Sequence, residues 1–423
     1  MQTTRQIDIP RYLAEFRLDE GTGENLNLFG DKKRGTEIEY VQIDDHRIPR
    51  YINEYWTSGQ RQASSIHEVS YRACFKPQVP HFFIDLLTQE GDTVYDPFSG
   101  RGTTVIEAGR LGRKVIANDV NPLSEILSRP RFFIPDLKDV EKRLEEIPYY
   151  SSLRAEMDLS MFFHPDTESE IVSLKNYILE KRQSGREDHV DRWIRMVATN
   201  RLTGHSPGFF SVYTLPPNQA VSPERQIKIN EKRHQKPEYR DTRKIILKKS
   251  KSLIKNLTRK EKENLRKAGE SALFLTEDAR YTGRIPDGSV QLTVTSPPFL
   301  DVVQYSQDNW LRCWFNSIDA EEISKKITMS RTVGEWCGVM GDVFRELFRI
   351  TRKGGWVAFE VGEVRGGSVK LDEHVVPLGL AAGFECEGIL INLQEFTKTS
   401  NIWGINNNTC GTNTNRIVMF KKL

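Results

Sequence analysis

The sequence predicts an α/β chain built on a parallel sheet that a long insertion interrupts, and three observations predict it. A strand, turn, helix and strand follow one another between residues 93 and 119, the same grammar returns after residue 270, and the stretch between has a different composition. The first unit is introduced by a helix over Val79–Thr88 that ends at Gly91-Asp92. The strand Thr93–Tyr95 then enters a glycine-containing turn, Asp96 to Gly102, which opens a helix from about Thr103 to Leu111, stopped by Gly112. The strand Lys114–Ala117 ends at Asn118-Asp119. Beyond residue 270, strands are expected at Ala272–Thr276, Val290–Thr295, Trp356–Val361, Ile389–Leu393 and Arg416–Phe420, with a helix over Gly338–Ile350. Residues 1 to about 50 are polar and weakly periodic and predict no element.

Composition narrows the class. In 423 residues, 38% are hydrophobic and 28% charged, which excludes a disordered, collagen-like or membrane-bundle chain. The polar N-terminus has no signal-peptide core and no apolar run approaches a bilayer span, so a cytoplasmic protein with no membrane partner is expected. Five scattered cysteines, Cys74, Cys313, Cys337, Cys386 and Cys410, suit neither a disulfide framework nor zinc-ligand spacing. A net charge of only +3 at first argues against a polyanionic partner. That total conceals segregation: residues 221–267 hold 17 Lys+Arg and 6 Asp+Glu, a net +11, leaving −8 elsewhere. Earlier in the insertion, helices are expected over Glu168–Leu179 and Val190–Asn200, and loop over Gly204–Pro217.

The turn Asp96-Pro97-Phe98-Ser99-Gly100-Arg101-Gly102-Thr103-Thr104 is the first chemical signal. Glycines between a strand and a helix let a ligand approach the backbone closely, and Asp119 at the end of the next strand can accept hydrogen bonds from ribose hydroxyls. The spacing is neither that of a dinucleotide fingerprint nor that of a P-loop. DPFSGRGTT resembles the AdoMet-binding motif of the amino-group DNA methyltransferases, and Thr295-Ser296-Pro297-Pro298-Phe299 is similar to the catalytic tetrapeptide of their N4-cytosine branch. The resemblance implies a Rossmann-like AdoMet-dependent methyltransferase fold, with a mostly parallel seven-stranded sheet and a large, mainly helical insertion. It implies a cofactor site at Phe75, Lys76, Pro77, Asp96, Pro97, Phe98, Gly100, Gly102, Thr103, Asp119 and Asp278, with Phe75-Lys76-Pro77 at the methionine end and Asp278 at the adenine. The corresponding division is an N-terminal extension (1–65), a catalytic domain (66–129 and 270–423) and a target-recognition insertion (130–269).

An exocyclic cytosine amine is a poor nucleophile because its lone pair is delocalised into the ring. Two acceptors, the Ser296 hydroxyl and the Pro297 carbonyl, can take its two N–H groups and aim the lone pair at the AdoMet methyl carbon. Pro297 and Pro298 withhold backbone donors where acceptors are needed, and Phe299 offers a face for a base flipped from the duplex. No Pro-Cys dipeptide supports methylation at carbon-5, no deaminase signature is present, and the transfer requires no metal. His67, His81, His164 and His205 are read as structural or surface groups.

The expected partner is double-stranded DNA, with a restriction endonuclease of the same specificity as the functional counterpart. Arg225, Lys248, Lys249, Lys251, Arg259 and Lys260 are the candidate phosphate contacts, and Arg201, Asn218, Gln219 and Gln226 candidate groove readers. A loop at Asn401–Arg416 is an alternative DNA contact. The AdoMet motif precedes the catalytic motif here, a permutation relative to the best-known enzymes with this tetrapeptide that resembles adenine-N6 enzymes. Adenine N6 therefore stays open as the target, as do an RNA substrate and an inactive DNA-binding module.

Overall fold

The computed structural model describes residues 8–18, 35–56, 63–72, 74–215, 220–298, 305–327, 330, 332–364, 369–393 and 414–423. Eleven strands run in chain order: β1 (Glu37–Ile43), β2 (His46–Asn53), β3 (Thr93–Asp96), β4 (Lys114–Asn118), β5 (Leu273–Leu275), β6 (Val290–Thr295), β7 (Thr351–Val361), β8 (Glu363–Val364), β9 (Val369–Lys370), β10 (Glu385–Leu393) and β11 (Thr414–Lys421). Nine of them form one sheet in the order β1-β2-β10-β11-β7-β6-β3-β4-β5, while β8 and β9 make a separate ribbon. The seven strands from β10 to β5 are the expected Rossmann-like methyltransferase sheet, parallel except that β11 runs against both its neighbours.

The N-terminal stretch, from which the sequence predicted no element, extends this sheet. β1 and β2 form a hairpin, and β2 joins β10 in parallel, so the sheet has nine strands rather than seven. Buried Asp372 binds Arg50 of β2 and Arg416 of β11.

All six residues of β6 are buried, as a central strand covered on both faces demands. The chain passes from β3 outward through β4 to β5, then returns to place β6 on the other side of β3. The crevice beyond the ends of β3 and β6 is therefore the switch point at which open α/β sheets bind ligands. Asp96 ends β3 and Ser296 directly follows β6.

The insertion is mainly helical, with Leu137–Glu146, Pro165–Gln183, His189–Arg201, Pro223–Arg233, Thr242–Ile254 and Arg259–Ser271. It shares one core with the sheet: Trp193, Phe162 and Leu253 belong to the same buried cluster as Val94, Val105 and Phe83. Its last helix leads directly into β5. Leu265 lies in that core, Asn264 donates to the Arg110 carbonyl at 2.9 Å, and Glu261 pairs with Arg110. Among the described residues no helix is long and apolar enough to cross a membrane.

Candidate methyl-transfer site

The ends of β3, β4 and β6 open into one pocket whose wall includes Phe75, Asp96, Pro97, Phe98, Gly100, Thr103, Asp119, Asp278, Ser296 and Pro298. Two motifs nearly 200 residues apart in sequence thus meet at the switch point, and Thr295 Oγ1 donates to Asp96 Oδ1 at 2.7 Å across it. Lys76, Pro77, Gly102 and Pro297 lie off the wall. Pro77 instead caps the helix Gln78–Leu87. Pro297 is buried. Phe299, like Asn218, Gln219 and residues 401–413, lies outside the described residues.

The glycine turn has the conformation its sequence suggested. Gly102 sits at φ +77°, and a Cβ there would stand 2.5 Å from Ser128 Cβ, so a side chain is excluded at the head of the helix Thr103–Arg110. Asp119 locks the turn by accepting the Gly100 N–H at 2.9 Å through Oδ2 and the Asn121 N–H at 2.9 Å through Oδ1. A carboxylate has about four acceptor positions, so Asp119 retains capacity for a diol. Burial pushes its carboxyl up to about 6, partly offset by those two N–H groups. Asp96, 1% exposed, is pushed up to about 7 by burial against the hydrogen bonds from Thr295 and the Phe98 N–H. Asp278 is occupied by Arg280 at 2.6 Å, which holds its carboxyl below the usual range.

Several wall residues were not among the predicted site residues. Tyr71, Cys74 and Ser99 complete the turn side, and Trp336 and Met340 of the helix Val333–Ile350 form the facing side. Trp336 Nε1 donates to the Pro298 carbonyl at 3.0 Å, pinning the turn that follows β6. Arg101 ties that region to the segment before it by donating to the Val69 carbonyl at 2.9 Å. Burial pushes the Cys74 thiol up. Among the described residues no group of three His, Cys, Asp or Glu could hold a metal.

Glu360 is the principal residue missed. It follows Phe359, whose register partner across β6 and β7 is Thr295, so its side chain lies beside that of Ser296. Glu360 is 6% exposed and its carboxyl accepts hydrogen bonds from Ser296 and Asn415. Burial pushes it up to about 7 against those two bonds. Nothing in a lone sequence marks it, because it falls within an apolar strand.

The basic candidates do not converge on the pocket. Arg225, Lys248, Lys251, Arg259 and Lys260 are exposed on three helices, while Lys249 is held by Glu68 at 3.2 Å. Arg259 and Lys260 precede Glu261, whose partner Arg110 lies at the end of its helix away from the glycine turn. Arg201 and Gln226 are buried, Arg201 stacking at 4.0 Å on Phe209. His67 and His81 both grip Glu107, a structural role as read.

Residues 25–125 match the DNA methylase family model, a span that takes in the hairpin, β3, the glycine turn and β4. Over that span the chain is similar to the amino-group DNA methyltransferases. It is 26% identical over 332 residues to the type II methyltransferase M.BsoBI of Geobacillus stearothermophilus, covering 70% of this chain and 63% of that one. It is 30% identical over 97 residues to the type II methyltransferase M.MvaI of Kocuria varians, or 22% of this chain and 20% of that one. The chain thus spans less than two thirds of the length of either relative. Among solved structures, the rRNA methyltransferase AviRa of Streptomyces viridochromogenes aligns over 87% of this chain and 93% of its own, at 13% identity and a TM-score of 0.33, too slight a likeness to carry an argument.

Proposed function

We propose that this protein is a site-specific, AdoMet-dependent methyltransferase acting on the exocyclic N4 of a cytosine flipped from duplex DNA. It would serve as the modification enzyme of a restriction–modification pair, with residues 130–269 as the target-recognition region. The observation that carries this reading is the meeting of Ser296, at the end of β6, with Asp96, Asp119 and the glycine turn in a single pocket.

The residues present fit the cofactor. Gly100, at φ +50° on the pocket wall, presents backbone without a side chain, and Asp119 faces the pocket with unused acceptor capacity. When bound, AdoMet supplies an activated methyl group on a sulfonium. The chain's own residues would orient the nucleophile. With Glu360 ionised, the Ser296 hydroxyl donates its hydrogen to that carboxylate, which turns the oxygen's lone pairs toward an N–H of the incoming amine. The second acceptor in this scheme is the Pro297 carbonyl, between the wall residues Ser296 and Pro298, while the Pro298 carbonyl already accepts from Trp336. As the N–C bond forms, the nitrogen becomes acidic and sheds a proton, for which Ser296 and Glu360 offer a path.

The test is mass spectrometry of nucleosides from duplex DNA incubated with the protein and AdoMet. N4-methylcytosine is expected. N6-methyladenine alone would transfer the same scheme to adenine, the reading favoured by the motif order, and methylation of RNA in preference to DNA would overturn the substrate.

A further inference from the structure

The sequence placed the DNA-gripping charge in residues 221–267, yet the structure gathers a second cluster of cationic charge elsewhere. A second cavity is lined by Arg129, Arg182, Arg192 and Arg195, with Glu125 and Glu187 as its acidic groups. Four guanidiniums face two carboxylates, an excess of two positive charges in a recess. Glu125 is taken by Arg129 at 2.7 Å, and Glu187 is shared between Arg192 at 3.1 Å and Arg195 at 3.3 Å. Among the described residues Arg182 has only the Asn316 carbonyl, at 3.1 Å. Arg195 is 7% exposed, its Nε donates to Asn316 Oδ1 at 2.7 Å, and its buried Nη2 has no hydrogen-bond partner among the described residues. A buried, unpartnered guanidinium nitrogen among like charges is costly unless an anion completes it.

Position says which anion. Pro122 lines this cavity and Asp119 lines the methyl-transfer pocket, and both follow the end of β4. Three residues of chain separate their Cα atoms by at most about 11 Å. A duplex delivering a base to one recess carries its backbone past the other. Resting on the methyltransferase reading above, we infer that the Arg182–Arg192–Arg195 recess binds a backbone phosphate of the DNA near the flipped nucleotide. Guanidinium forks match phosphate oxygens bidentately, and such a contact fixes register without reading sequence.

The test measures binding of a short mixed-sequence DNA duplex by fluorescence anisotropy across a salt series, with thermal melting to verify folding. The double variant R182Q/R192Q should bind about tenfold more weakly on unrelated sequences, with a slope of log affinity against log salt shallower by about 1. It should bind AdoMet as the unaltered protein does. E187Q, which adds to the excess charge, should tighten binding and serves where R182Q/R192Q fails to fold. Unchanged affinity and slope in R182Q/R192Q, while the unaltered protein binds and methylates DNA, would overturn this inference alone. Absence of DNA binding by the unaltered protein would overturn the reading beneath it as well. Stabilisation by inorganic phosphate that R182Q/R192Q abolishes, with duplex binding unchanged, would make the recess a small-anion site and also refute the proposal.

Discussion

The helix Thr103–Arg110 separates two groups of buried carboxylates that behave in opposite ways. At its head, Asp96 and Asp119 are partnered only by hydroxyl and amide dipoles, and burial raises both. Within it, Glu107 is just as buried, yet His67 at 2.7 Å, His81 at 2.8 Å and Arg110 at 2.7 Å surround it. Burial alone would raise Glu107, but the histidine hydrogen bonds and the Arg110 charge hold it well below the usual range. Burial drives His67 down to about 4, so it donates as a neutral ring. The difference teaches how to tell structure from site: a satisfied buried carboxylate joins elements, and an under-compensated one at a strand end awaits a ligand.

The sharpest way to break this contrast is Glu107→Ala. It leaves the buried His67 and the Arg110 charge without their shared partner and should lower unfolding stability by about 3–5 kcal/mol, read from urea melts, while the folded fraction still binds AdoMet. Ser296→Ala should do the reverse. Single-turnover methyl transfer is expected to fall about a hundredfold, with AdoMet affinity and stability kept, and undiminished transfer would refute the acceptor role. Asp119→Asn should weaken AdoMet about tenfold by calorimetry, comparable to losing one charge-assisted hydrogen bond.

The smallest effect is a pH signature. Glu360, raised to about 7 from a reference of 4.5, binds more protons folded than unfolded between those values. Its contribution to stability is therefore full below about 4.5 and is lost as pH rises through about 7. Glu107, depressed, works oppositely: its contribution is present at neutral pH and lost in acid. Glu360→Gln should accordingly reduce the loss of stability between pH 5 and pH 8 in urea melts of the cofactor-free protein, and an unchanged difference would show that Glu360 is not protonated over that range.

What the sequence disclosed follows the same division. β3, β4, β6 and the glycine turn were legible because turn chemistry and apolar runs are local, and their joining in one pocket followed from parallel-sheet topology. Glu360 and Trp336 were not, since their roles arise only when β7 and the helix Val333–Ile350 come beside Ser296 and Pro298. The helix Leu371–Ala382 escaped notice because Pro377 inside it reads as a breaker. The β1–β2 hairpin turns at Asp44-Asp45 without glycine, Asp44 taking φ +48° itself, and β1 is mostly exposed, so neither its turn nor its burial announced it. The arginine recess draws on Arg129, Arg182, Arg192 and Arg195, which only the fold assembles.

That hairpin has a consequence for solubility. Without it, β10 would end the sheet and present the apolar run Ile389-Leu390-Ile391 as an unpaired edge, open to strand addition by another copy of the chain. With it, the free edge becomes β1, where exposed Glu37 and Glu39 repel a second copy of themselves. The extension thus acts as a guard against aggregation, transferring the vulnerable edge of the sheet from an aliphatic strand to an acidic one.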